Sequence, residues 1–188
     1  MSLSTFERRK EAPLHYQARA DNARLCAFLL YHQKGDSTHY RDSIGYGGTP
    51  EIGFYEGYLR EAGVALELIV KAVITVSNRK FKLEGKTTTG MPKHHRLPEL
   101  WSNAKLPNLL DPDKLRLRAF QEVLEWSGRY PTPKKEEIWD RDIQETMPPA
   151  MGTSILIRNS VSLGWEDFDR LYQISSDRFG THIKSSYR

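Results

Sequence analysis

The sequence predicts an all-α protein: an antiparallel bundle of four to five helices with a long insertion before the last one. Three observations carry this expectation. Leu59, Leu66 and Val73 recur every seven residues, as do Ala62, Ile69 and Val76, and the two series merge into one continuous apolar stripe. Asp111-Pro112 is a helix-start signal that precedes Leu117, Phe120, Leu124 and Ser127 on one face. Near the C-terminus, Trp165, Phe168, Tyr172 and Phe179 again fall at helical spacing.

Taken in order, Leu14 to His32 read as the first helix, with Ala18, Leu25 and Leu29 at helical spacing and Gly35 as its stop. Asp36 to Pro50 is rich in Gly, Ser and Thr and reads as loop. Its Gly45-Tyr46-Gly47-Gly48 lacks the Lys-Ser/Thr of a P-loop, which leaves turn chemistry. The second helix spans about Gly53 to Ser77 and carries Glu67 and Lys71 four residues apart, the spacing of a surface ion pair. Pro98 suits the first turn of a short third helix, Leu97 to Ala104. The fourth starts with Asp111 as N-cap and stops near Gly128, since Pro131 disfavours helical geometry at Tyr130.

Thr132 to Gly164 is then an insertion. Within it Lys134 to Thr146 reads as a polar helix ended by Met147-Pro148-Pro149, and Ser154 to Ile157 as either a buried helical turn or a short strand. The last helix runs from about Trp165 to Phe179. Residues 1–13 thus form a polar tail, 14–179 a single helical domain, and 180–188 a frayed basic tail.

A chain of 188 residues, 38% hydrophobic and 28% charged, fits one soluble domain with a real core. No apolar run approaches the roughly 20 residues needed to cross a bilayer, and the polar N-terminus lacks the apolar core of a secretory signal. A cytoplasmic protein is the expectation. The single Cys26 excludes an intrachain disulfide, cannot by itself build a cysteine-rich zinc site, and reads as a buried core thiol. The net charge is +4, yet Arg79, Lys80, Lys82, Lys86, Lys93 and Arg96 face only Glu84 across residues 79–96. That stretch alone is +5 and the rest of the chain sums to −1. Such local basicity is what a phosphate-contacting surface needs; a solvated loop is the alternative.

The order of short motifs resembles the HEPN family of small helical-bundle proteins. Glu67 to Ala72 matches a Glu-x-x-x-Lys-Ala pattern in the second helix, and His95-Arg96-Leu97-Pro98-Glu99-Leu100 a His-x-Leu-x-x-Leu-like start after the loop. Arg129-Tyr130-Pro131 ends the fourth helix as in that family. The resemblance covers about Leu14 to Phe179, and the 132–164 insertion is longer than the family's usual connection. It implies a helical bundle acting near toxin–antitoxin or defence systems, a homodimer, and a nucleotidyltransferase-type partner protein. Some members of the family cleave RNA without metal. Those members carry an Arg, then a polar residue, with a His after four to six intervening residues. Arg158-Asn159 begins that motif, but Leu163, Gly164 and Trp165 stand where His is required. Arg178 and His182 are separated by three residues, one too few.

These readings leave two sets of candidates. Arg79, Lys80, Lys82, Lys86, Lys93 and Arg96, with Arg129 and Tyr130, form the expected nucleotide- or RNA-binding surface, Arg129 on phosphate and Tyr130 stacked on a base. The bland reading of the last pair is that Tyr130 packs at the bundle end while Arg129 caps helix carbonyls. Arg158, His94 and His95 are the candidates for an atypical catalytic site, Arg stabilising a phosphorane and His moving a proton. Neither a metal site nor a cofactor is expected, because no spaced His, Cys or carboxylate set joins His94-His95. The sequence therefore favours a non-catalytic module that binds nucleotide or RNA phosphates or a protein partner. Its alternatives are a metal-independent endoribonuclease and a purely structural interaction module.

Overall fold

A computed structural model describes residues 11–33, 36–88, 90–127 and 161–186. These form α1 (Pro13–His32), α2 (Ser37–Ile44), α3 (Pro50–Leu83), α4 (Leu97–Asn103), α5 (Asp111–Glu122) with a π-helical turn at Val123–Ser127, and α6 (Trp165–Ser186). No strand occurs among the described residues, so the all-α class holds. Lys134 to Thr146 and Ser154 to Ile157 lie outside the described residues, as do Arg129, Tyr130 and Arg158.

The 34-residue α3 is the centre of the molecule. It packs against α1, α4, α5 and α6, and from Ala65 to Val76 only Leu68 is not buried. A helix apolar nearly all round belongs in a core, because no face is left to meet water. It outruns the expected Gly53 to Ser77 at both ends. Pro50 sits in the first turn, where its missing N–H costs nothing. The ring of Lys and Arg that follows Ser77 consists of good helix formers placed where cations offset the negative end of the dipole.

Helix α1 is turned the other way from the sequence expectation. Its core side is Ala20, Ala23 and Ala27, while Leu25 and Leu29 are 57% and 58% exposed and Ala18 is exposed too. Small residues let α1 approach α3 closely, and the neighbouring Tyr31 meets Tyr58 at 4.7 Å between ring centroids. Cys26 shares the outward side and is exposed, not a core thiol. The expected loop from Asp36 to Pro50 contains α2. Asp36 caps it by accepting from Thr38 N at 2.9 Å, and Gly45 closes it at φ +67°, a conformation that suits glycine. Asp111 is not an N-cap: that position is Leu110, and Asp111 instead holds Lys114 at 2.8 Å.

Helix α5 crosses α3 at Gly63. A Cβ there would lie 3.1 Å from Leu124 Cγ and 3.3 Å from the Phe120 carbonyl, so the absent side chain permits the approach. Helix α6 continues to Ser186, past the expected end at Phe179 and through most of the supposed tail. It buries Phe168, Leu171, Tyr172 and Phe179. Polar contacts fix its position on both sides. Tyr172 donates to Asp21 at 2.6 Å and Arg24 pairs with Asp169 at 2.6 Å, both on α1. Arg170 reaches both oxygens of the buried Asp113 on α5, at 2.6 and 2.9 Å, and Arg116 joins the same carboxylate at 2.9 Å. Such bidentate pairs are directional as well as strong. Tyr58 donates to the Leu163 carbonyl at 2.9 Å near the start of α3, and Ser77 meets His182 at 2.9 Å near its end. Helix α6 therefore runs parallel to α3 and antiparallel to α1, so the neighbours of α3 are not all antiparallel.

Candidate functional site

The basic stretch divides into two parts. Arg79, Lys80 and Lys82 lie in the last turns of α3 rather than in a loop. Lys86 follows the turn at Gly85, and Lys105, from the turn after α4, approaches the same place. Phe81 is the meeting point: Lys105 Nζ lies 5.5 Å and Lys86 Nζ 5.9 Å from its ring centroid. Lys105 escaped the sequence reading because it lies beyond the basic stretch, in a turn it enters at φ +51°. Two of these cations have local acids, Lys82 with Glu11 at 2.7 Å and Lys86 with Glu84 at 2.7 Å. Both pairs are exposed, and exposed pairs hold by only about 0–1 kcal/mol. A phosphate could exchange for either carboxylate. Lys93 is exposed as well.

The second part, at the start of α4, is largely self-neutralised. Glu99 holds His94 Nε2 at 3.2 Å and Arg96 at 3.0 Å. His95 turns to Glu67 instead, its Nδ1 2.8 Å from the carboxylate. The same Glu67 accepts from Lys71 Nζ at 2.6 Å. The Glu67–Lys71 pair is thus buried, with side chains 11% and 10% exposed, and not the surface pair its spacing suggested. Position explains the difference: both residues lie on the stretch of α3 that is covered all round.

This contact orients the His95 ring. A carboxylate accepts, so in this contact Nδ1–H is the donor and Nε2 is the nitrogen left facing outward from the pair. A carboxylate that fixes tautomer and orientation is what makes an imidazole a competent base. The ring is 44% exposed, so it is open to a ligand. Glu67, Lys71 and His95 are all drawn from the two HEPN-like motifs, and their convergence is a contact that spacing could not reveal. Arg158, Arg129 and Tyr130 lie outside the described residues. No group of three or more His, Cys, Asp or Glu among the described residues could hold a metal ion. No described helix is long and apolar enough to cross a membrane.

No protein-family model matches the chain, and neither a curated protein nor a solved structure is significantly similar to it.

Proposed function

We propose that this chain is a HEPN-like helical-bundle module, non-catalytic, that binds the phosphates of a nucleotide or RNA at the C-terminal end of α3. The observation that carries the reading is the convergence of Lys86 and Lys105 on Phe81, with Lys82 next to Phe81 in the last turn of α3. Cations beside an aromatic ring suit a backbone phosphate next to a base. The test is retardation of mixed RNA at several salt concentrations. Each phosphate contact on a single strand contributes about −0.7 to the log–log salt slope, so replacing all three lysines by Gln should flatten it by about 2. RNA that fails to bind, or binding unchanged by salt, would refute the reading and leave a protein-interaction module, with a nucleotidyltransferase-type protein or a second copy as partner.

The Glu67–His95 contact favours a second reading, a metal-independent endoribonuclease with His95 as proton acceptor. It predicts chelator-resistant cleavage of RNA that a His95→Gln variant loses while keeping its fold. Intact RNA after prolonged incubation would exclude it.

A further inference from the structure

At the same end of α3, two turns of helix bring four polar residues together. Ser77 and Lys80 lie one turn apart on α3, and Arg178 and His182 one turn apart on α6. Ser77 Oγ and His182 Nδ1 are 2.9 Å apart and join the two helices. Arg178 is partly buried and its Nε is fully buried, yet among the described residues that Nε has no hydrogen-bond partner. The contrast with the other part-buried arginines among the described residues is sharp: Arg24 has Asp169, and Arg116 has Asp113 and Asp167. Glu84, one turn beyond Lys80, is held by Lys86 at 2.7 Å.

A buried cationic donor without an acceptor is costly, and folded proteins seldom leave one unmatched. We infer that Arg178, His182, Ser77 and Lys80 form a seat for one phosphate-type oxyanion in the groove between α3 and α6. Two full charges, from Arg178 and Lys80, favour a dianion over a carboxylate, and the guanidinium matches the tetrahedral oxygens of phosphate. Burial, Arg178 and Lys80 together hold the His182 imidazole below its ordinary value, as expected where two cations face one ring. The seat uses none of Lys82, Lys86 and Lys105, and it stands whether or not those lysines bind RNA.

The experiment is a titration of the full chain with inorganic phosphate at constant ionic strength, followed by calorimetry and by the NMR resonances of the His182 ring. A nucleoside 5′-monophosphate in a second series tells a free ion from a phosphate carried on a nucleoside, and binding of either supports the seat. The expected result is a saturable response weakened about tenfold or more in Arg178→Gln, as for loss of a charged hydrogen bond. Arg178→Lys, which keeps the charge but removes Nε, should weaken it too, whereas Lys114→Gln should not. A response that sodium chloride reproduces, or equal affinity in Arg178→Gln, would overturn the inference. If the Arg178 variants do not fold by circular dichroism, Ser77→Ala and His182→Gln carry the same comparison by calorimetry.

Discussion

Replacing Glu67 by Leu removes a carboxylate and leaves its partner stranded. The Lys71 ammonium is 2.6 Å away with only 10% of its side chain exposed, so it cannot turn to water without disrupting the middle of α3. Breaking a buried pair from one side costs about 3–5 kcal/mol. That is about a fifth or more of the stability of an ordinary domain, which is about 5–15 kcal/mol. With a urea slope of about 2 kcal/mol per molar, the unfolding midpoint should fall by about 1.5–2.5 M. The double variant Glu67→Leu/Lys71→Met should recover most of that loss, because two apolar side chains of similar volume remove the stranded charge. Urea unfolding of the three proteins, followed by circular dichroism, completes the cycle. If Glu67→Leu lost less than about 1 kcal/mol, the pair would be behaving as an exposed one. The anchoring of His95 would then fail as well.

Three further outcomes follow from the packing. Leu25→Lys should change stability by no more than about 0.5 kcal/mol in thermal unfolding, because the side chain lies on the outward side of α1; a loss of several kcal/mol would mean that side is covered. Arg170, chiefly through its hydrogen bonds, holds the Asp113 carboxyl below its ordinary 3.8. The stability it confers is present above that value and is lost as pH falls through the lower folded-state value. Asp113→Asn should cost about 1–3 kcal/mol at neutral pH and remove that part of the acid dependence, measured as urea midpoint against pH. His182, held down by burial first and then by Arg178 and Lys80, titrates below its ordinary 6.5. Stability therefore declines as pH falls from about 6.5 towards the folded-state value, and Arg178→Gln should raise the His182 midpoint in an NMR titration.

The helical class and the centre of the bundle were legible because the interleaved series from Leu59 to Val76 admits no other period. The orientation of α1 was not. Leucine spacing marked Leu25 and Leu29, but the close approach of α3 selects the smallest side chains, and alanine gives almost no periodic signal. The α2 helix was hidden by its composition, although Asp36 and Gly45 are a legible start and stop. Burial of Glu67 and Lys71 could have been read from the same sequence. Between Val64 and Val76 they are the only charged residues, and in a helix apolar all round a charge must find its partner inside. The contacts of His95, Lys105 and Arg178 depend on elements distant in the chain, and no local pattern encodes them.

The bonds that hold α6 have a consequence for the order in which the chain is made. They join residues 105 to 151 positions apart: Tyr58 to Leu163, Ser77 to His182, Arg24 to Asp169 and Asp21 to Tyr172. Helices α1 and α3, by contrast, are joined through residues 33–49 and can pair early, since closing that loop costs less entropy than closing one of more than 100 residues. During synthesis the slot that receives Phe168 and Leu171 is therefore built long before its occupant leaves the ribosome. A chain stopped before Trp165 presents an open apolar slot to the cell, and its fate is capture by chaperones or aggregation rather than survival as a smaller folded protein.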